Sequence, residues 1–349
     1  MKLPETMQAV RIHRHGGPAE LALERIPVPV PGPGQVLVRV LGVSVNHLDL
    51  WVRRGMPGFP VAFPRILGCD GSGEIAALGP GVGAYRVGQK VALEPGYSSG
   101  QSEWDREGLD HLSADYSIRG EHGDGFGCEY VALDQRYVFP LPDGMDPVQA
   151  AAVPLVFLTA WGMLDRAGLE RGESVLVVGG ASGVGSAAIQ IARHLGARVL
   201  ATAGSPEKRR LAEELGAESA VDHGDPEWPR RIKQLTGGEG VDVVVEHVGP
   251  ATWQGSMRAL ARLGRLVTCG GTTGPKVEIQ LPHLFIKNLT LLGSTMGPAS
   301  ALPTIFERVA RGHYRPVIDR VLPLSAVRQA HELLENRQVN GKIVLIPGS

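Results

Sequence analysis

Cysteine, long apolar runs and an excess of either charge are all scarce in this chain. Its three cysteines, Cys69, Cys128 and Cys269, are scattered and form no CxxC pair. That excludes a disulfide framework and fits a reducing compartment. Basic and acidic side chains nearly cancel, at a formal net charge of −1, so nothing points to nucleic acid or an anionic membrane as a partner. The opening MKLPETMQAV has no apolar signal core, and no stretch is long enough to span a bilayer. The expectation is a cytoplasmic protein whose partner is a small-molecule substrate.

Glycine and proline are plentiful, and their placement divides the chain. At 349 residues it exceeds one simple core, which implies two domains. Up to about residue 150, short β-like runs (MQAVRIH, QVLVRVLGV, GCDGSGEIAAL, KVALEP, CEYVALD) are broken by Pro and Gly, as in a mostly antiparallel β domain. Over 151–297, the apolar runs VLVV, VLAT, VDVVVE, RLVTCG and LTLLGS alternate with helical segments. Such alternation predicts a parallel sheet covered on both faces. The last fifty residues predict helices near 299–311 and 325–336 and a closing strand KIVLI. Residues 1–150 and 298–349 are therefore expected to form one discontinuous domain around 151–297. The loop 98–116, SSGQSEWDREGLDHLSADY, is long and polar.

After Val178 the chain reads Gly179-Gly180-Ala181-Ser182-Gly183-Val184-Gly185. A dinucleotide-binding turn needs glycines so that the backbone bends, approaches a pyrophosphate and lets helix meet strand. Gly180, Gly183 and Gly185 fit, with Ser182 in the middle glycine place. Val184, Ala188, Ile191 and Leu195 make one apolar helical stripe, and Gly196 is placed to close the helix. The helix N-terminus would offer N–H groups and a positive dipole end to phosphate. An NAD site usually places Asp or Glu about 20 residues past the turn. Here the sequence is Ala203-Gly204-Ser205-Pro206, followed by Lys208, Arg209 and Arg210. A hydroxyl with cations suits a 2′-phosphate, so NADPH is expected over NADH. Ser205-Pro206 also reads as a helix N-cap with a first-turn proline.

Taken together, these pieces resemble the medium-chain dehydrogenase/reductase superfamily. GQVLVRV, NHLD, ILGCDGSGEI, VGQKV, GCEYVAL, AAAVPLVFLTAW, the glycine turn, GSTMGP and GKIVL follow its order along nearly the whole chain. The resemblance implies a GroES-like β catalytic domain, a Rossmann dinucleotide-binding domain and hydride transfer in a cleft between them. The superfamily's zinc enzymes hold a catalytic metal through two cysteines, a histidine and often an acid. The matching places here are Asn46, Cys69-Asp70 and Leu155, too few N or S donors for zinc. The four cysteines of the structural-zinc lobe correspond to Ser99, Ser102, Asp105 and Ser113, poor ligands for that ion. No metal is expected, and Asp110 and His111 in that lobe are expected at the surface.

Carried over residue by residue, the resemblance puts Asn46 beside the nicotinamide, its amide NH₂ donating to a substrate oxygen. Trp51 stands where many zinc-free relatives have tyrosine, and Thr159 matches a threonine near the nicotinamide ring. His47 is a candidate proton donor, and Asp49 is either catalytic or a local cap. Strand ends would add His247, Val248, Gly271, Thr272, Ser294 and Thr295 to the coenzyme site. His223 is expected near the 2′-phosphate and Lys342 near the coenzyme. Residues 56–63 and the lobe around Trp104 are expected to line the substrate pocket. The implied activity is a zinc-independent, NADPH-dependent reductase of quinones, enones or related carbonyls. Two alternatives remain, an alcohol dehydrogenase and a non-catalytic NADPH-binding protein. A homodimer or homotetramer is implied by the family.

Overall fold

In the computed structural model, residues 3–56 and 58–348 are described. The chain divides into two units, Met1–Leu155 with Pro298–Arg311 and Pro316–Ser349, and Val156–Gly297 with Gly312–Arg315. The first boundary falls inside the helix Pro154–Arg166, a few residues later than the change of sequence pattern. The short return segment Gly312–Arg315 went unforeseen.

The first unit is built on the ten-residue strand Gln35–Ser44. Its Val36, Val38, Val40 and Val43 are buried with Ile75, Val91, Leu93 and Leu133 from neighbouring strands. It is the hub of a seven-stranded sheet among the described residues, ordered Val138–Pro140, Lys90–Leu93, Asp70–Leu78, Gln35–Ser44, Lys342–Ile346 and Ile318–Pro323, with Tyr130–Asp134 also on the hub. β-Branched residues suit such a pleated, buried surface. The antiparallel register sets Ser44 opposite Asp70 on one side and Val344 on the other. Three distant segments therefore meet at one strand end. Ala22–Pro27, which pairs with Thr6–Ile12, escapes the sequence reading because ALERIP alternates only between half-buried and exposed. The polar loop 98–116 holds the short helix Glu103–Arg106 and a 3₁₀ turn at Asp110–Leu112.

The second unit carries six parallel strands among the described residues. Their order is Ser219–Val221, Arg198–Thr202, Ser174–Val177, Val241–Glu246, Leu260–Thr268 and Thr290–Gly293. Numbered along the chain this is 3-2-1-4-5-6, the doubly wound order. The direction of winding reverses between Ser174–Val177 and Val241–Glu246. Ligands of such sheets lie at the carboxyl ends of the strands, beside that reversal. The helix Gly183–Leu195 is buried from Gly185 to Ala192 nearly all round, whereas Leu195, expected in its apolar stripe, is exposed. Beyond the sheet the chain returns to cover it. Gln190 bonds Arg315 twice, accepting from its N–H at 2.7 Å and donating to its carbonyl at 3.0 Å. No helix among the described residues is long and apolar enough to cross a membrane.

Candidate functional site

At the reversal point, Gly179 turns the backbone with φ +71°. Its N–H reaches Thr202 Oγ1 at 3.2 Å, and the Gly180 N–H reaches the Thr202 carbonyl at 2.8 Å. Ser182 caps the following helix, its Oγ accepting from the Gly185 N–H at 3.0 Å. The hydroxyl thus replaces a glycine while satisfying one orphan N–H. A Cβ on Gly185 would stand 2.2 Å from the Gly179 carbonyl oxygen, and one on Gly180 would press on Ile189, Ala201 and Ala212. Only glycine allows helix and turn so close. Gly183 opens the helix, and Val184 beside it is half-buried. Gly196 ends the helix in the left-handed region.

The other strand ends converge on this turn. His247 Nε2 lies 3.3 Å from Ser182 Oγ, and a Cβ on Gly179 would come within 3.3 Å of His247 and 3.4 Å of Val248. Burial lowers the His247 pKa, which keeps its imidazole neutral. Glu246, missed by the sequence reading, organises the loop. It is fully buried and accepts from the Val248 and Gly249 N–H groups and from the Thr252 and Ser256 hydroxyls. An acid closing the otherwise apolar VVVE was its available signal. Thr272 bonds the Val248 carbonyl, and Gly271 lies so near Gly274 that a Cβ would approach its carbonyl oxygen to 2.3 Å. Ser294 bonds back to Thr268, and Thr295 beside it is exposed. Thr159 is buried and donates to Met296 Sδ at 3.6 Å, so its hydroxyl is engaged within the unit. Crowded glycines and a capped helix N-terminus at a strand-order reversal fit a dinucleotide.

At the ribose end, one reading holds and one needs correction. Ser205 is the N-cap that the sequence also allowed, accepting from the Lys208 N–H at 3.2 Å. Glu207 also uses that hydroxyl; its own backbone N–H and Ser205 hold its carboxyl below the usual range. Arg209 is not an open cation, because its guanidinium pairs with Asp222 at 2.7 Å. Glu207 and Asp222 were both overlooked. His223 packs against Gly204, with Nδ1 3.0 Å from Thr202 Oγ1.

The first unit gathers a buried polar cluster at the end of its hub strand. Asp70 Oδ2 accepts from Ser44 Oγ, Asn46 Nδ2 and Lys342 Nζ, each at 3.0 Å, while Oδ1 accepts from the Leu155 N–H at 2.7 Å. Lys342 also donates to Asn46 Oδ1. The Asn46 amide approaches the Ser44 carbonyl at 3.2 Å and Cys69 Sγ at 3.3 Å. Its NH₂ is therefore turned inward and is not presented to a substrate, contrary to the sequence expectation. Lys342, assigned to the coenzyme, instead spends its ammonium on Asp70 and Asn46. Asp49 takes the local capping role, one of its two expected readings: its two oxygens accept the Asn46 and Gly68 N–H groups at 2.8 and 3.0 Å. It is a capping carboxylate, pushed up to about 6 by burial. His47 and Trp51, half-buried and one helical turn apart, have ring centroids 6.5 Å apart.

This donor set does not fit a catalytic zinc. Where a divalent ion would need three N or S ligands, the cluster offers an amide, a carboxylate bonded to an ammonium, and Cys69. Burial drives that thiol well above its ordinary pKa, and Asp49 and Asp70 add to the effect. The lobe likewise replaces ligands with hydrogen bonds. Ser102 Oγ meets Ser113 Oγ, the Asp105 carboxylate accepts from Ser98 Oγ at 2.5 Å and from the Ser102 N–H at 2.8 Å, and the Ser99 N–H donates to Asp115. Asp110 and His111 are half-buried, contrary to expectation; Asp110 accepts the Ala299 N–H at 3.0 Å. Of the loop 56–63, Pro57 lies outside the described residues.

Residues 32–143 match the alcohol dehydrogenase GroES-like domain family, and residues 183–311 match the zinc-binding dehydrogenase family. The quinone oxidoreductase of Pseudomonas aeruginosa is 32% identical over 97% of this chain and 99% of its own length. The crystal structure of an NAD-dependent alcohol dehydrogenase is 44% identical, covers 98% of this chain and 100% of that one, and superposes with a TM-score of 0.94. A crotonyl-CoA carboxylase/reductase in complex with NADP is 26% identical, with a TM-score of 0.87 and coverage of 99% and 96%. Glycines that admit a dinucleotide, on a chain matched from end to end by such enzymes, leave one assignment: the chain belongs to the medium-chain dehydrogenase/reductase superfamily, is quinone oxidoreductase-like, and is an oxidoreductase that works with a nicotinamide coenzyme.

Proposed function

We propose that the protein reduces quinones, enones or related conjugated carbonyls with NADPH and without a metal. The observation that carries this reading is the Lys342 ammonium on Asp70 and Asn46, at the place where the family's zinc enzymes bind their ion. In the family's zinc enzymes the ion acts as a Lewis acid and carries the charge that develops on the oxygen of an alcohol or simple carbonyl. A conjugated acceptor spreads that charge, so hydrogen-bond donors suffice. The half-exposed face of the helix His47–Arg54 supplies them: His47 as proton donor, Trp51 as a stacking ring or indole N–H donor. The bound coenzyme would supply the hydride. The turn Gly180–Gly185, with His247 and Gly271, would hold its pyrophosphate, and Thr159 and Ser294 would border the nicotinamide.

For the 2′-phosphate, the reading rests on Ser205, Lys208 and His223 and on the absence of an acid over 203–206. Glu207 and Asp222 temper it, so NADPH should bind only about tenfold tighter than NADH, roughly 1.4 kcal/mol. A second reading, NADH with an alcohol, is favoured by the Arg209–Asp222 pair and by the name of the 44% identical structure. Nicotinamide fluorescence titration with both coenzymes, then turnover with a quinone panel before and after chelator treatment, separates the two. The expected result is NADPH preference and quinone reduction insensitive to chelator. Equal coenzyme affinities would remove the 2′-phosphate site. Stoichiometric zinc, or activity restored by zinc, would overturn the metal-free chemistry. The family further implies self-association into a dimer or tetramer.

A further inference from the structure

A separate cavity of about 300 Å³ opens in the second unit, lined by the helices Trp228–Leu235, Pro250–Ala259 and Leu281–Lys287. It shares no residue with the glycine turn. Its walls carry Arg230, Lys233, Arg258, His283 and Lys287, against a single acid among the described lining residues, Glu227. Glu227 sits 3.6 Å from Arg230, and both are largely exposed, so that carboxylate does little for the inner wall. There Lys233 and Lys287 face each other.

Like charges in a half-buried setting repel with less screening than in bulk water. Lys287 records this: burial first, then Lys233 and Arg262 nearby, bring its amine down to about 8. Its Nζ donates to the Leu260 carbonyl at 2.5 Å and to the Arg258 carbonyl at 3.3 Å, acceptors with no charge to offset its own. His283 adds a buried Nδ1 with no hydrogen-bond partner. Four basic side chains and an unsatisfied imidazole nitrogen around one half-open pocket form a poor packing solution but a good receptor for an oxyanion. A phosphoryl group offers several strong acceptor oxygens and a charge near −2. The volume lies at the lower end of small-molecule sites.

We propose that this cavity binds a phosphoryl-type anion of a small ligand, held by Lys233, Lys287 and His283, with Arg230 and Arg258 on the remaining wall. The ligand is either inorganic phosphate or pyrophosphate, or the phosphoryl group of an organic phosphate. Binding strengthens as pH falls from about 9 toward 8, because Lys287 regains its proton. The charged and titratable groups around Lys287 are Lys233 and Arg262, with Glu227, Arg230, Arg258 and His283 on the same walls.

The test is calorimetric titration of the full-length protein at fixed ionic strength. The glycine turn is first saturated with the more tightly bound nicotinamide coenzyme, so that it cannot take up the probe. Inorganic phosphate, pyrophosphate and glucose 6-phosphate are the probes. One site per chain is expected, weakened about tenfold or more by Lys233→Gln and by Lys287→Gln, kept by Lys287→Arg, with coenzyme affinity unchanged in all three variants. Tighter binding of glucose 6-phosphate assigns the site to organic phosphates; tighter pyrophosphate assigns it to inorganic anions. No binding of any probe, or binding equally strong in both glutamine variants, overturns the proposal. Because the arginine variant retains the charge, a folding defect in Lys287→Gln is distinguishable from loss of the site.

Discussion

Lys342 is the residue on which the first unit's polar cluster turns. Asp70 is completely buried and Lys342 nearly so. Removing one partner of such a pair strands a charge, at a cost of about 3–5 kcal/mol. Lys342→Met should therefore destabilise the protein by that order in urea unfolding, and adding Asp70→Leu should recover much of the loss. If Lys342→Met alone were neutral, the pair would not hold the cluster. Asp49, three residues past Asn46, adds a pH signature. Its folded pKa is raised to about 6, against about 3.9 for an unperturbed Asp. The fold therefore binds this proton more tightly than the unfolded chain does. Asp49's contribution is fully present below about pH 4 and is lost as pH rises through 6, roughly 3 kcal/mol in all. Relative to Asp49→Asn, the wild type should lose that much stability between pH 4 and pH 7; parallel profiles of the two proteins would refute the assignment. The sequence discloses from residue type alone that Asn46, Cys69-Asp70 and Leu155 offer too few zinc ligands. It does not disclose what the buried Asp70 carboxylate pairs with. Lys342 lies 272 residues from Asp70, and only the register of Lys342–Ile346 against Gln35–Ser44 brings them together.

At the scale of single elements, the helix Gly183–Leu195 shows what a local pattern can and cannot reveal. Its start is legible: glycines, a serine and an apolar period fix the turn. Ser182→Ala should cost about 1 kcal/mol through loss of the cap, and Ser182→Gly only a few tenths; thermal unfolding of the two variants side by side checks this. If glycine and alanine were equally harmful, the hydroxyl's contact with His247 rather than its cap would be the main contribution. The burial of the helix is not legible. A 3.6-residue stripe predicts one covered face, yet Ser186, Ala187 and Gln190 are covered too; at Gln190 the partner is Arg315 of the returning segment. The ribose end fails for a related reason. Reading Lys208 to Arg210 as one basic group ignores Asp222, which a later strand brings to Arg209.

For the whole molecule, alternation of strand and helix points to a parallel sheet, and the second unit carries six parallel strands among the described residues; the doubly wound order is implied only by the family resemblance. Association lies beyond such patterning, but the second unit has a surface on which the proposal can be tested. Thr290–Gly293 is the last strand of its sheet and pairs on one side only among the described residues. Open edges of this kind are normally blunted or covered. The adjoining helix Leu281–Lys287 exposes Leu281, Phe285 and Ile286 by 64%, 65% and 54%. A cluster of large apolar side chains beside an unpaired edge is costly to leave in water and is typical of a contact surface. The proposed dimer or tetramer would use this face. Phe285→Lys would then remove an aromatic anchor worth about 2 kcal/mol and weaken association roughly thirtyfold. Sedimentation velocity at micromolar concentration should show the wild type as an oligomer and Phe285→Lys shifted toward monomer, with coenzyme binding retained because the glycine turn is untouched. A wild type that sediments as a monomer across that range would show that the exposed helix face serves something other than self-association.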